Sequence, residues 1–529
     1  MHDVVILGSG FSGSMLGAIL ARHGRDVLMI DAGKHPRFAI GESTIVHTSQ
    51  TISLLAREFD VPELEKLGLD SPEGTREVVG SRCGIKRIFG FLYHQEGQPH
   101  DPEEALLFGN AWRDENHLYR PDVDQWLFDL AKQYGCTALE ETRADSVEID
   151  NDGVTVHAGG KVHRARYIVD CTGFRSVLAT QFGLRDEEPR QILQSCSMFT
   201  HMKGVRRFED LIESGMSHPW WEGTLHHLFD GGWLYVIPFN NWPGGTNDVV
   251  SVGLTWDPRR HTPKDFQSFL AEKLPSVAEQ FAEAEPVRPW IRTGRIQYSS
   301  SQTVGRRWSL SAHAASFVDP MFSRGLINAV EVIRTLVPPL LRALDDNDFD
   351  PARFAAVETI QERVRSYADR LVWATYVSWR DFDLWNAWYR VWAIGTLLVE
   401  TNLGSVMLMG RFSRHKPPAD PIYTEWEDPG FKQYFNRCFA IMEKVDSGVL
   451  SEQHATEALW AEHNRYDFTI PLPDHMKGQE WAVRSPEARN LFFGDPLRHD
   501  AWVREQEAMA GSSSAPPPTP GREVNIGRS

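Results

Sequence analysis

Residues 1–35 run through two periodicities. VVILG is a continuous apolar run, SGFSGS a glycine-rich turn, MLGAILARHG a helical pattern and DVLMID a second apolar run. That order predicts strand, turn, helix and strand. Residues 120–134 (RPDVDQWLFDLAKQY) read as a helix with Pro121 in its first turn, a position where the missing N–H is tolerated. Strands are expected at about 146–157 and 162–171, with NDG and GGK as turns. Residues 190–300 are rich in short strands and turns and predict a sheet domain. Around 326–345 and 352–395 the period becomes helical, and the chain to about 505 mixes helix and loop. The stretch 511–529, GSSSAPPPTPGREVNIGRS, cannot bury a core and predicts a disordered tail. No internal repeat is visible.

The segment SRCGIKRIFGFLYHQEG, 81–97, poses a problem for this pattern. As one strand of period two it puts Ile85, Arg87, Phe89, Phe91 and Tyr93 on one face. Lys86, Ile88, Gly90, Leu92 and His94 fall on the other. Whichever face is buried takes a cation with it, and an unpaired buried charge is costly.

Composition narrows the classes. The chain has 529 residues and a formal net charge of −17, which disfavours binding to a phosphate backbone. Nucleic acid is therefore not an expected partner. Five scattered cysteines (Cys83, Cys136, Cys171, Cys196, Cys438) without a CxxC pair argue for a reducing compartment and against a zinc site. The apolar first strand has no basic region before it, so no secretory signal is expected and the cytoplasm is the expected location. The most membrane-like stretch, 391–410, is interrupted by Glu400, Thr401 and Asn402 and predicts a soluble helix pair. No membrane partner is expected.

Gly8-Ser9-Gly10-Phe11-Ser12-Gly13 matches GxGxxG between an apolar strand and a helix, and Asp31 ends the next strand 21 residues after Gly10. The glycines allow a tight turn, the helix N-terminus faces a pyrophosphate, and the acid binds a ribose hydroxyl. A dinucleotide is expected. Arg120 in LYRPDVDQWL and the stretch IVDCTGFRS, with Asp170, Thr172, Gly173 and Ser176, resemble two further FAD-contact elements of the flavin monooxygenase superfamily. Together they favour FAD, and no second GxGxxG offers a place for NAD(P)H.

Several segments resemble the flavin-dependent halogenases: HPRFAIGEST (35–44), GIKRIFGF, TLHHLFDGGWLYVIPFNN (224–241) and FVDPMFSRGL (317–326). The wording is similar to the branch that chlorinates free phenolic substrates in pyoluteorin biosynthesis, and DFDLWNAWYRVW (381–392) extends the likeness to about residue 410. Three positions depart from the family. Its WxWxIP signature is here Trp233-Leu234-Tyr235-Val236-Ile237-Pro238, and the GDA element of the superfamily is Ser311-Ala312-His313-Ala314. Phe322 stands where tryptophan halogenases carry a glutamate, which counts against free tryptophan as substrate.

The resemblance implies an α/β flavoprotein: an FAD-binding Rossmann-like domain of the flavin monooxygenase type (1–75, 105–185 and 290–345), an inserted β-sheet substrate domain (76–104 and 186–289) and a C-terminal helical region (346–510). It implies FAD contacts from Gly8, Gly10, Phe11, Ser12, Gly13, Asp31, Ala32, Gly41, Ser43, Arg120, Asp319 and Gly325. A flavin hydroperoxide, formed from FADH2 and O2, would oxidise chloride or bromide to hypohalous acid, which Lys86 would capture and pass to the ring. Glu42 would act beside the flavin as a relay. A desolvated amine has a lowered pKa and can be halogenated, which suits a lysine on an apolar wall. Backbone N–H groups of Ser323, Arg324 and Gly325 would bind the halide, as turns of successive amides bind anions.

Phe91, Trp233, Tyr235, Pro320 and Phe322 would line the substrate pocket. The expected partners are an electron-rich aromatic or phenolic substrate and a flavin reductase that delivers FADH2. His226-His227 resembles a metal pair, but adjacent strand side chains point oppositely and no metal is expected. Trp385, Trp388 and Trp392 share a helical face and read as core packing, with substrate stacking as the alternative. Two alternatives stand beside the halogenase: a flavin monooxygenase or oxidase that needs no halide, and a non-catalytic flavin-binding accessory protein.

Overall fold

The computed structural model describes residues 1–109, 113–212, 218–412 and 425–466. The expected tail at 511–529 lies outside them. Strand His2–Leu7, helix Phe11–Arg22 and strand Val27–Ile30 form as the apolar pattern predicts. His2–Leu7 lies at the centre of the first sheet, parallel to Val27–Ile30 on one side and to Lys161–Asp170 on the other. Thr137–Leu139 and Trp308–Leu310 extend that parallel core, and the antiparallel strands Ala144–Ile149 and Val154–Ala158 fold back on Lys161–Asp170. The strand His2–Leu7 reads VVIL because both its faces are covered.

The second sheet runs Glu285–Pro286, Cys196–Lys203, Val250–Trp256, Gly232–Pro238, Gly223–Phe229, Ile88–Tyr93 and Ala105–Gly109, with Ile291–Arg295 also on Cys196–Lys203. It therefore draws in strands from just outside 76–104 and 186–289. Gly223–Phe229, Gly232–Pro238 and Ile88–Tyr93 are buried along their whole length. One face packs on the helices Phe266–Lys273 and Pro275–Gln280, the other on the C-terminal helices. Two-sided burial removes the alternation that a half-exposed strand would show.

The period-two reading of 81–97 is corrected. The segment forms two strands, Gly84–Lys86 and Ile88–Tyr93, in different sheets. Among the described residues Gly84–Lys86 pairs with Glu115–His117 alone, with Lys86 opposite Glu115 and Gly84 opposite His117. The chain turns at Arg87, whose N–H donates to Glu222 O at 2.8 Å. Arg87 is half exposed and pairs with Asp114 and Glu222. Of the two cations only Lys86 is buried.

Residues 391–410 are likewise not a helix pair. One helix, Phe382–Phe412, runs through Glu400 and packs on Val46–Glu58 and on the helices Ala355–Ser378 and Glu452–Arg465. Among the described residues no helix is long and apolar enough to cross a membrane. Trp385, Trp388 and Trp392 are all core residues on this helix.

Candidate active site

A cavity of about 930 Å³ opens between the two sheets. Its walls include Gly8, Gly10, Phe11, Ser12, Asp31, Ala32, Gly41, Glu42, Ser43, Arg120, Trp233, Tyr235, Pro320, Ser323 and Gly325. Gly8 has φ +87°, and a Cβ on Gly13 would stand 1.9 Å from Gly8 O. Only glycine lets helix Phe11–Arg22 approach the strand so closely. Gly13 is therefore a packing residue behind the cavity wall. The helix starts with no side-chain cap and no acid in its first turn, which leaves its N-terminal N–H groups for an anion.

Asp31 accepts from Ser9 N (2.7 Å), Ser9 Oγ (2.9 Å), Gly33 N (2.8 Å) and Arg37 Nη2 (2.8 Å). Burial pushes this carboxyl up, but Arg37 and the N–H donors outweigh it and leave it lowered. Arg120 is fixed by Asp124 and by the carbonyls of Ile40 and Gly41. Thr172, Gly173 and Ser176 line the wall, whereas Asp170 lies behind them and accepts from Thr172, Ser176 and Leu178. Ser311, Ala312 and His313 line the cavity. Burial lowers the His313 imidazole to about 4. A cavity of this size, with an acid at a strand end and an uncapped helix start, fits a flavin dinucleotide.

Lys86 lies one hydrogen bond beyond the wall. Its Nζ donates to Ser43 Oγ at 2.8 Å and to Thr44 O at 2.9 Å, lies 3.5 Å from Ser323 Oγ, and stands 3.3 Å above the Phe89 ring centroid. Phe89 belongs to an aromatic box with Phe91, Phe108, His226 and Trp392, and Phe322 stacks on Trp392 at 4.6 Å. Phe91 and Phe322 are thus behind the cavity wall, on Lys86's side. Burial lowers the lysine well below its ordinary value, and Glu115 and Glu400 pull it part of the way back. Burial raises Glu400 well above the usual carboxyl range.

The turn before helix Arg324–Asp346 carries two consecutive residues in the left-handed region, Phe322 (φ 64°) and Ser323 (φ 57°). Each costs about 1–3 kcal/mol for a non-glycine residue, a form of strain that clusters at functional sites. Ser323 N–H donates to Pro320 O at 3.2 Å, so within this turn it is already engaged. The Arg324 guanidinium forms a two-pronged pair with Glu425, at 2.6 and 3.1 Å, and points away from the cavity. Asp319 does not line the cavity either. It accepts from Met321 N, Ser195 Oγ and Tyr376 OH, and burial pushes it up to about 7. Glu42 Oε1 lies 2.7 Å from His201 Nε2, within hydrogen-bond distance.

His226 and His227 do point oppositely: His226 stacks with Phe91 and Trp233, while His227 bonds to His94 and Gln280. Glu115, His117, Thr224 and His201 were not singled out in the sequence, because what places them is pairing between distant strands. Glu400 did leave a signal, a carboxylate inside an apolar helical run.

A family model described as an FAD binding domain matches residues 1–288. Monodechloroaminopyrrolnitrin halogenase PrnC of Pseudomonas fluorescens is 42% identical over 489 residues, 89% of this chain and 86% of that protein. The chain is a flavin-dependent halogenase. Tetracycline 7-halogenase of Kitasatospora aureofaciens is 39% identical over 536 residues, covering 93% and 95% of the two chains. The crystal structure of halogenase PltM in complex with phloroglucinol and FAD superposes with a TM-score of 0.83 at 32% identity, covering 88% of this chain and 96% of that one. As a halogenase of this family the enzyme uses FAD and halide, and takes reduced flavin from a separate reductase.

Proposed function

We propose that this halogenase acts on an electron-rich hydroxylated aromatic ring, and that Lys86 passes the halogen to it. The observation that carries the reading is the setting of Lys86: a buried amine with lowered proton affinity, one hydrogen bond from the cofactor cavity and backed by aromatic rings. Likeness to a structure holding phloroglucinol supports a phenol. A second reading takes the compound in a relative's name, monodechloroaminopyrrolnitrin, and rests on the 42% identity. An activated ring is needed in either case, because the halogen arrives as an electrophile.

Reduced FAD, when bound, supplies the electrons that activate O2, which then oxidises halide to hypohalous acid. Gly8, Gly10, Asp31 and Arg120 hold the cofactor in this reading. The N–H groups of Arg324 and Gly325, at the start of a long helix, bind the halide. Lys86 then meets hypohalous acid at the polar throat formed by Ser43, Thr224 and Ser323. The dry walls around it keep a diffusible oxidant from water and favour the neutral amine.

The test mixes the protein with FAD, a flavin reductase, NADH and chloride or bromide. It offers phloroglucinol, resorcinol and monodechloroaminopyrrolnitrin, with mass spectrometry for the halogen isotope pattern. Halogenated phenol from the wild type and none from Lys86→Ala is the expected result. Turnover of the arylpyrrole alone selects the second reading. Equal halogenation by Lys86→Ala sinks the lysine's role, and hydroxylated product without halide points to a monooxygenase.

A further inference from the structure

We propose that Thr224, oriented by His117 and acting through Ser43, is a positioning residue that fixes how Lys86 presents its nitrogen. This rests on the reading of Lys86 as the halogen carrier. Four hydrogen bonds run in series through the interior: Lys86 Nζ to Ser43 Oγ (2.8 Å), Ser43 Oγ to Thr224 Oγ1 (2.9 Å), Thr224 Oγ1 to His117 Nε2 (2.9 Å) and His117 Nδ1 to Pro238 O (2.8 Å). All four side chains are buried, and Ser43 and Thr224 also line the cofactor cavity.

The direction of the whole chain follows from its last link. A carbonyl can only accept, so His117 carries its proton on Nδ1. Burial and the nearby Lys86 and His226 keep the ring neutral, lowered to about 3, so Nε2 is an acceptor. Thr224 must then donate to His117, and Ser43 must donate to Thr224. The Ser43 oxygen that faces Lys86 is left able only to accept. It takes N–H from Lys86 and O–H from Ser323, at 3.0 Å.

Without Thr224's hydroxyl, the Ser43 O–H loses its acceptor and can swing round to donate to the Lys86 amine. A hydrogen bond into that nitrogen engages the lone pair that has to meet the halogen. Glu115 on the facing strand and Glu400 on helix Phe382–Phe412 raise the proton affinity of Lys86, and neither is a member of the chain. His226, on the strand that carries Thr224, is the other ring whose charge reaches His117. His117 also feels the charge of Lys86, so the series reaches the lysine through space as well as through hydrogen bonds.

The experiment compares Thr224→Val, Thr224→Ser, Ser43→Ala and the double variant Ser43→Ala/Thr224→Val in the holoenzyme. It reads halogenated product, hypohalous acid escaping to an added scavenger, and KM for FADH2. Thr224→Val is expected to lower product formation by about tenfold to 10²-fold and to raise the scavenged share, because a misdirected reacting atom carries a penalty of that size. Thr224→Ser, which keeps the hydroxyl, is expected to restore the wild-type partition. In the double variant the two losses should not multiply, because Thr224 acts through Ser43. The proposal is overturned by a wild-type partition in Thr224→Val, by failure of Thr224→Ser to rescue, or by losses that multiply. A change in KM for FADH2 alone also overturns it, since that assigns Thr224 to the cofactor. Wild-type halogenation by Lys86→Ala would instead remove the lysine reading beneath it.

Discussion

Moving an ammonium out of water into an aromatic wall is unfavourable, and at Lys86 the neighbours offset only part of that penalty. Glu115 and Glu400 raise its proton affinity, burial lowers it further, and the net effect is a strongly weakened base. Such a residue is a poor contributor to stability. Lys86→Met keeps most of the stem, removes the buried amine and takes its donors away from Ser43 Oγ and Thr44 O. We expect its melting temperature to stay close to that of the wild type, because the desolvation cost of the amine is removed together with its two hydrogen bonds. Halogenation should fall roughly 10²- to 10⁴-fold, the range for loss of a group acting in the chemical step. Scanning fluorimetry and product analysis on the same sample would check both. A large drop in melting temperature would mean that Lys86 is structural. In the sequence this lysine was legible as an anomaly, a cation in an apolar segment, but its isolation from Arg87 was not. The bend at Arg87 depends on a hydrogen bond to Glu222, which no local pattern encodes.

Elements meet in this protein through a few close contacts, and two of them can be tested. Helix Phe11–Arg22 lies against the first strand at Gly13, where an added Cβ would be 1.9 Å from a carbonyl oxygen. Gly13→Ala should therefore displace the helix N-terminus and abolish FAD binding, measured as flavin absorbance that stays with the protein through gel filtration. Retention of a full complement of FAD would show that the helix can shift without consequence. At the other end of the fold, helix Arg324–Asp346 is tied to the segment before Pro429–Asp446 by the buried Arg324–Glu425 pair. Glu425→Ala leaves a guanidinium buried without its carboxylate, which costs about 3–5 kcal/mol. Urea unfolding is the measurement, and a change below about 1 kcal/mol would show that water or another acceptor replaces Glu425. FVDPMFSRGL marked this turn by family likeness. What the sequence hid is that the Arg324 side chain serves the C-terminal helices, a contact across 101 residues.

Across the whole molecule, buried histidines set a limit on the acid side. His117, His226 and His227 are each lowered to about 3, and His94 well below 6.5, with burial the largest cause in every case. The unfolded chain binds protons at these rings from about pH 6.5 downwards, while the fold refuses them. Folded pKa values below unfolded ones mean that the stability is fully present above about 6.5 and is lost as pH falls towards 3. The loss is on the order of 1–2 kcal/mol per ring by pH 5, a large part of the stability of an ordinary domain. Thermal unfolding between pH 8 and 4.5 should show the melting temperature falling steeply below 6.5. A flat profile across that range would show that these rings take up protons in place. Asp319 acts in the opposite sense: burial holds it near 7, so its contribution is present at low pH and is lost as pH rises through 7.

The sequence by itself determined the cofactor half of the molecule. GxGxxG, the acid at Asp31 and the strand–helix–strand pattern are local, because a βαβ unit builds its phosphate cradle from one short stretch of chain. It also marked Lys86, Ser323 and the Trp385–Trp392 face as residues of interest. Only the tertiary structure decided how those parts face one another. Strands that are buried on both sides lose the alternation from which register could be read, so the break at Arg87 and the seven-strand path of the second sheet were hidden. The groups that tune Lys86 come from Glu115, His117, Thr224 and Glu400, residues spread over nearly three hundred positions and brought together by strand pairing and by one long helix. Periodicity reports which face of an element is dry. It carries no information about which distant side chain will be found on the other side.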